Sequence, residues 1–211
     1  MTLTNLNPPG VVSKAYTARP PGPLAGVVVI GLWANLAAHA GFGVAQLLQL
    51  LGQTGVLLSG LAGLIQFLVF LVSGFLALKW IYRVQMNAHT LATGLSNTPP
   101  WAIGWFFVPF ANLYKPFQAL KEAWQVSLSP HAWRSARPPG LINWWWGLWI
   151  VTGILGNLSF RLTQMEDIRG SGDWISVFTE ACEIPLGLLF IEVVRGLTRD
   201  QTNALEGDTF G

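Results

Sequence analysis

Two glutamates lie three residues apart inside an apolar stretch near the end of the chain. Glu180 and Glu183 fall on the same face of a helix, because residues separated by three positions are neighbours there. Paired carboxylates can bind a cation, relay protons or act as general acid and base, and an ionisable group inside an apolar helix needs a partner. We predict an ion pair between Arg161, at the end of the preceding apolar stretch, and one of these glutamates. A proton or cation site is the alternative.

A second constellation is repeated along the chain. RVQMNA at Arg83–Ala88 and RDQTNA at Arg199–Ala204 share the pattern R-x-Q-x-N-A, and a GLW triplet recurs with the same offset. This repeat predicts that residues 24–90 and 141–206 are two versions of one hydrophobic hairpin, each ending in a basic, amide-rich tail. Arginines at such helix ends favour anionic headgroups. The amides add directional donors and acceptors, which indicates either anchoring with packing or a site for a small anionic ligand or a partner.

We expect both tails to meet the aromatic segment that separates the two hairpins. Together they form a candidate cytoplasmic cluster of basic and amide side chains. Its predicted members are Arg83, Gln85, Asn87, Asn112, Lys115, Arg199, Gln201 and Asn203.

The composition is that of a membrane protein. Charged residues make up 10% of the 211 residues, against about 25% in soluble domains, while hydrophobic residues reach 52% and there are 11 tryptophans. The net charge of +2 and the scattered basic residues give no reason to expect nucleic-acid binding. The single cysteine, Cys182, excludes intramolecular disulfides and cysteine zinc sites.

Sequence motifs for catalysis are missing. There is no G-x-S-x-G, H-E-x-x-H or P-loop pattern, and the lone cysteine has no base nearby in sequence. The three histidines, His39, His89 and His131, fall on separate segments, so we expect none of them to converge with the glutamates in a metal site. We therefore predict a protein that is not an enzyme and that has no catalytic residues, no metal and no cofactor.

Four apolar stretches are long enough to cross a bilayer core of about 30 Å, which needs roughly 20 helical residues. They are Leu24–Leu51, Gly55–Leu78, Trp144–Phe160 and Trp174–Val194. Lys and Arg collect on the cytoplasmic side of membranes, and with the amino terminus inside only Arg161 and Arg169 lie outside. The charge bias thus favours four spans with both termini in the cytoplasm.

The segment between the hairpins is apolar but short. Trp101–Leu113 contains Pro109 and is too short to span, so it is predicted to be re-entrant or to lie in the membrane interface. Behind it, Pro116–Val126 has the periodicity of an amphipathic surface helix. The predicted organisation is a disordered, proline-bearing cytoplasmic tail at residues 1–23 and a single membrane domain at 24–206, with residues 97–140 as the insert.

The run WAIGWFFVPFANLYKPFQALKEAW, at Trp101–Trp124, resembles a bacterial membrane family named domain of unknown function 4328. The family pattern is roughly W-A-x-G-W-x-F-x-P-F-x-N-L-x-K-P, followed by a glutamate that falls here at Glu122. The resemblance implies a multi-pass protein of the bacterial inner membrane, and it brings no established activity with it.

The sequence thus predicts an all-α integral membrane protein built from two related hairpins. The expected function is that of a non-enzymatic scaffold or regulator with a lipid or protein site on its cytoplasmic face. Expected partners are the lipid bilayer and a membrane or cytoplasmic protein, and a homo-oligomer is compatible with this role. The alternative is a small oligomeric transporter or channel that uses the intramembrane glutamates.

Overall fold

The computed structural model describes residues 16–165 and 169–209, and every regular element in these ranges is helical. The predicted all-α class is confirmed, whereas the predicted tail at residues 1–23 falls largely outside the described residues. The α-helices, in chain order, are α1 (Gly22–Leu50), α2 (Val56–Leu91), α3 (Pro99–Gly104), α4 (Lys115–Leu128), α5 (Leu141–Thr163) and α6 (Arg169–Thr209). Short 3-10 helices occupy Trp105–Phe107, Ala111–Leu113 and Pro130–Ser135.

The chain forms two compact units. Unit 1 contains the described residues up to Gly22, then Ile81–Pro138 and the chain from Leu197 onward. Unit 2 contains Pro23–Trp80 and Pro139–Gly196. Unit 2 therefore holds α1, α5 and most of the length of α2 and α6, while unit 1 holds the insert together with the last turns of α2 and α6.

The two longest helices extend beyond the apolar stretches from which they were predicted. The second predicted span ends at Leu78, yet α2 runs on to Leu91, and α6 begins at Arg169 and continues to Thr209. Neither R-x-Q-x-N-A segment contains the glycine or proline that would stop a helix, so backbone hydrogen bonding continues through both. The repeated segments are thus the last turns of long helices.

Two helices, α1 and α2, are long and apolar enough to cross a membrane. In the most apolar window of α2, only 11% of the residues are buried within the described structure. The core of a soluble protein would be largely buried, because burying apolar surface is what stabilises it. An apolar helix that leaves most of its surface uncovered is typical of a protein that meets lipid.

The insert is compact and lies in unit 1. After α3 and two 3-10 turns, α4 begins at Lys115, with Pro116 in its first turn as proline prefers. The helix predicted at Pro116–Val126 is present as α4, and its apolar face is buried. Leu120, Ala123 and Trp124 are almost completely buried, and Ala123 packs with Ala88, Leu91 and Val126 in the apolar core of this unit.

Unit 2 is held together by aromatic stacking and by close helix contacts. Phe190 stacks on Trp145 with 4.7 Å between ring centroids and meets Trp80 edge-on at 6.2 Å, which joins α6 to α5 and α2. At Gly172 the backbones of α5 and α6 nearly touch, and Ser159 Oγ donates to the Gly172 carbonyl at 2.8 Å. A β-carbon on Gly172 would lie 2.7 Å from the backbone nitrogen of Thr163. Only glycine permits this approach.

Gly172→Ala should therefore destabilise unit 2. The added methyl group would press on backbone atoms that cannot rotate away, and overpacking of this kind costs about 1–3 kcal/mol. Gly153→Ala is the matched control, because a β-carbon there meets nothing within 4 Å. Alanine in an open helical position should be neutral or stabilising by up to about 1 kcal/mol. Thermal unfolding of the purified protein in detergent compares the two, and equal melting temperatures would contradict the close contact.

Candidate functional site

A buried polar cluster lies in the middle of unit 2, and we call it the interior cluster. His39 Nδ1 is 2.7 Å from Glu180 Oε2, and Gln66 Nε2 is 2.9 Å from the same histidine nitrogen and 3.4 Å from the same carboxylate oxygen. One ring nitrogen can satisfy only one of these neighbours, and a carboxylate only accepts. His39 therefore donates to Glu180, and Gln66 donates to the same oxygen. Side chains from α1, α2 and α6 are joined at one carboxylate.

The expectation that His39 would not converge with the glutamates is wrong. It rested on the position of the three histidines on separate segments, but α1 and α6 bring His39 and Glu180 together. His39 precedes the end of α1, and Glu180 follows the start of α6, by about eleven residues each, or about 16 Å at the helical rise of about 1.5 Å. The two side chains consequently reach the same level in antiparallel neighbours.

The predicted ion pair of Arg161 is not formed with Glu180 or Glu183. Arg161 is exposed near the end of α5, and Glu180 uses His39 as its partner instead. Glu183 lies one helical turn after Glu180 and interacts with His39 and Thr152. Each of the two glutamates therefore faces the bundle and not the flank of α5 that carries Arg161.

A cavity of about 300 Å³ reaches Glu180. Its walls carry hydroxyl and carboxylate groups of α5 and α6. They are Ser159, Thr163, Asp173, Ser176, Thr179 and Glu180. Gln46 of α1 and Gly156 and Phe160 of α5 complete the lining. The cavity gives the interior cluster a polar approach from one side of the bundle.

The second candidate site lies in unit 1, where an amide network joins α2 to α6. Asn87 Nδ2 donates to Gln201 Oε1 at 2.9 Å and to the Arg19 carbonyl at 2.9 Å, while Asn87 Oδ1 accepts from Arg19 N–H at 3.0 Å. Gln201 Nε2 donates to the carbonyl of Val84 at 2.9 Å. Both amide side chains are completely buried. The predicted meeting of the two repeated segments is present in this pair.

The amide side chains of the two copies differ in burial and in hydrogen-bond partners. Gln85 is as deeply buried as Gln201, but its Nε2 donates to the Asn97 carbonyl at 2.9 Å. Asn203, the counterpart of Asn87, is exposed. The insert packs against both copies, because Asn97 accepts from Gln85 and Trp124 Nε1 donates to Asp200 at 2.9 Å.

The basic residues of the predicted cluster lie at the periphery of this network. Arg83 Nη1 donates to the Pro20 carbonyl at 3.3 Å, and Arg199 is exposed beside Asp200, at 3.0 Å. Lys115 lies over the ring of Trp105, 5.9 Å from its centroid. Asn112 occupies the second 3-10 turn of the insert, and in the described chain its side chain and that of Lys115 make no hydrogen bond to the buried amides.

The insert contributes residues that sequence reasoning did not select. Asn97 accepts from Gln85 through its carbonyl and from Trp105 Nε1 through its side chain, at 2.9 Å each. Glu122 is buried and accepts from the Ser96 N–H at 3.1 Å and from Asn97 Nδ2 at 3.4 Å. The family pattern contained Glu122, which was the only signal for it. Asn97 sits in a polar loop that carries no periodicity.

The family model described as Domain of unknown function (DUF4328) matches residues 44–199. The chain belongs to this family. The match takes in α2, the insert, α5 and most of α6, so the DUF4328 region contains Gln85, Asn87, Glu122 and Glu180 but not His39 or Gln201. Comparison with curated proteins and with solved structures finds no match. The function of this DUF4328 chain therefore has to be inferred from its own geometry.

Two amides of the second repeat provide a matched pair for testing the network. Gln201→Leu should destabilise the protein by about 1–3 kcal/mol, because Asn87 Nδ2 and the Val84 carbonyl lose buried partners. Asn203→Leu, on the exposed side of the same helical turn, should change the stability by no more than about 0.5 kcal/mol. Melting temperatures of the purified variants measure the difference. A larger loss in Asn203→Leu than in Gln201→Leu would show that the buried pair is not the structural link.

Proposed function

We propose that the chain is a non-enzymatic, multi-pass protein of the bacterial inner membrane whose unit 1 rests on the cytoplasmic lipid interface. In this proposal α1, α2, α5 and α6 cross the bilayer, and both termini are cytoplasmic. The role is that of a membrane scaffold or regulator that senses lipid through unit 1. The observation that carries it is the row of uncovered aromatic side chains on the insert.

Four spans are supported by the exterior of unit 2. Large apolar side chains are exposed along α2, and the same holds for α5 at Trp144, Ile154 and Phe160 and for α6 at Trp174 and Phe178. Soluble proteins rarely leave a contiguous apolar surface of this extent in water. At 23 residues, α5 is about 34 Å long, which is sufficient for a core of about 30 Å.

The polar content of α5 and α6 does not argue against spanning. The tryptophans at the start of α5 suit the headgroup level of a membrane. Within α6, Glu180 is paired with His39 inside the bundle, so its charge does not face lipid. Ionisable groups in spanning helices take this inward orientation.

The insert supplies the surface on which unit 1 would rest. Phe107 is 75% exposed and Phe110 is 87% exposed, and Trp101 and Tyr114 on either side are more than half exposed. Phe110 has a φ of 62°, a left-handed conformation that costs energy in a residue with a side chain. This backbone conformation holds the ring of Phe110 on the surface of unit 1. Insertion of the ring into lipid would offset the energy that the conformation costs.

The basic residues nearby match an anionic membrane surface. Lys115 follows the exposed aromatic residues directly, and Lys121 lies on the same helix, 5.8 Å from the ring of Phe117. Each basic residue close to an anionic leaflet contributes about 1 kcal/mol of attraction. Aromatic rings at headgroup depth and lysines above them are the usual arrangement of an interfacial segment.

The topology can be tested with single cysteines in a Cys182→Ser background. Gln53→Cys lies in the turn between α1 and α2, and Ser135→Cys lies after α4; both positions are exposed. Four spans with cytoplasmic termini place position 53 outside and position 135 inside. An impermeant thiol reagent should label only Gln53→Cys in intact cells and both variants after lysis. Labelling of Ser135→Cys in intact cells would overturn this topology.

Interfacial docking can be tested by lipid quenching in nanodiscs that contain anionic lipid. A fluorophore on Phe107→Cys or Phe110→Cys, in the same Cys182→Ser background, should be quenched strongly by brominated acyl chains, because these positions would lie at the lipid boundary. Ser135→Cys serves as the control in unit 1 and should be quenched several-fold less. Equal weak quenching at the three positions would reject docking on lipid and leave the exposed rings for a protein partner.

A further inference from the structure

The cavity beside Glu180 presents hydrogen-bond acceptors. Each hydroxyl group has one hydrogen, and the hydroxyls of the lining donate theirs elsewhere. Ser159 donates to the Gly172 carbonyl at 2.8 Å, Thr179 to the Ile175 carbonyl at 2.7 Å, and Thr163 to the Phe160 carbonyl at 2.9 Å. Only lone pairs of these three oxygens remain for a molecule inside the cavity.

Ser176 follows the same pattern, since its hydroxyl donates to Gln46 Oε1 at 3.1 Å. The amide nitrogen of Gln46 is the exception, because it is a donor. The excess of acceptors nevertheless holds for the lining as a whole, and a ligand that fits has to bring its own N–H or O–H groups.

Two carboxylates add negative charge to this lining. Glu180 Oε2 is occupied by His39 and Gln66, which leaves Oε1 outside those hydrogen bonds. Asp173 has no hydrogen-bond or ion-pair partner among the described residues, and no described lysine or arginine lines the cavity. Acceptors together with carboxylates favour a cationic donor, since hydrogen bonds between ions are about twice as strong as neutral ones.

The volume of the cavity and the presence of Phe160 in its lining limit which cations fit. A volume of about 300 Å³ is at the lower end of ligand pockets and exceeds what a bare metal ion needs. Within residues 16–165 and 172–207, no three His, Cys, Asp or Glu side chains converge as metal ligands. Phe160 adds an apolar side chain to the lining, which suits the carbon atoms of an organic amine.

We propose that this cavity binds a small protonated amine, whose ammonium group is held by Glu180, Asp173 and the hydroxyl oxygens. The same primary ammonium can come from a soluble amine or from an ethanolamine headgroup of the surrounding lipid. This site belongs to unit 2 and does not depend on interfacial docking of the insert, so the two proposals fail independently. It would give the family a ligand site inside the bundle.

Calorimetric titration of the full chain in phosphatidylcholine nanodiscs tests the site, with ethylammonium chloride as the probe and sodium chloride at equal ionic strength as the blank. Ethylammonium should bind, and tetramethylammonium, which has no N–H, should bind at least tenfold more weakly. Asp173→Asn and Glu180→Gln should each weaken ethylammonium binding by about tenfold or more. Glu192→Gln is the matched control, because this exposed carboxylate of α6 pairs with Arg195 and lies outside the cavity lining.

Nanodiscs with phosphatidylethanolamine distinguish the two sources. Loss of the ethylammonium signal there identifies the lipid headgroup as the occupant, and an unchanged signal identifies a soluble amine. Absence of ethylammonium binding to the folded wild-type chain would overturn the proposal. Equal binding by Asp173→Asn and wild type would overturn it as well, and this variant keeps the His39–Glu180 pair should Glu180→Gln fail to fold.

Discussion

Unit 1 depends on the side-chain amide of Asn87. Its oxygen and nitrogen both bond the backbone of Arg19, and its nitrogen also donates to Gln201, so the amide connects the segment before α1 with α2 and α6. Gln201 returns a hydrogen bond to the Val84 carbonyl one turn before Asn87. Val84, Asn87 and Gln201 are buried, and a buried polar group without a partner costs about 1–3 kcal/mol. The ends of the two long helices are consequently fixed relative to each other within this unit.

In unit 2 the buried polar group that needs partners is a charged one. Glu180 sits about 16 Å into an apolar helix and is tolerable there because His39 and Gln66 donate to it from two neighbouring helices. The partners have to reach the same level, which requires α1, α2 and α6 to keep their register along the bundle. The close contact at Gly172 and the stacking of Phe190 hold that register by packing α6 against α5. Packing and charge placement therefore depend on each other in this unit.

Hydropathy predicted the helical class, and the internal repeat predicted that the two amide-rich segments meet. They did not separate Asn87 from Asn203, since Asn87 is held by the backbone of Arg19 and by Gln201 while Asn203 is exposed. The His39–Glu180 pair was missed because the two residues lie on separate segments of the sequence, which α1 and α6 bring together. Pairing with Arg161 was predicted from a similar depth in antiparallel helices, but Glu180 pairs with His39 instead.

The two polar clusters differ in the balance of donors and acceptors. Around Asn87, the side-chain nitrogens of Asn87 and Gln201 donate to carbonyl oxygens, so these two amides need no further molecule. Around Glu180, the hydroxyl groups of the cavity donate their hydrogens to other protein atoms, and the carboxylates can only accept hydrogen bonds. A closed network contributes stability and uniqueness of fold. An open set of acceptors beside a charge can bind a further molecule, which supports the proposed amine site in unit 2.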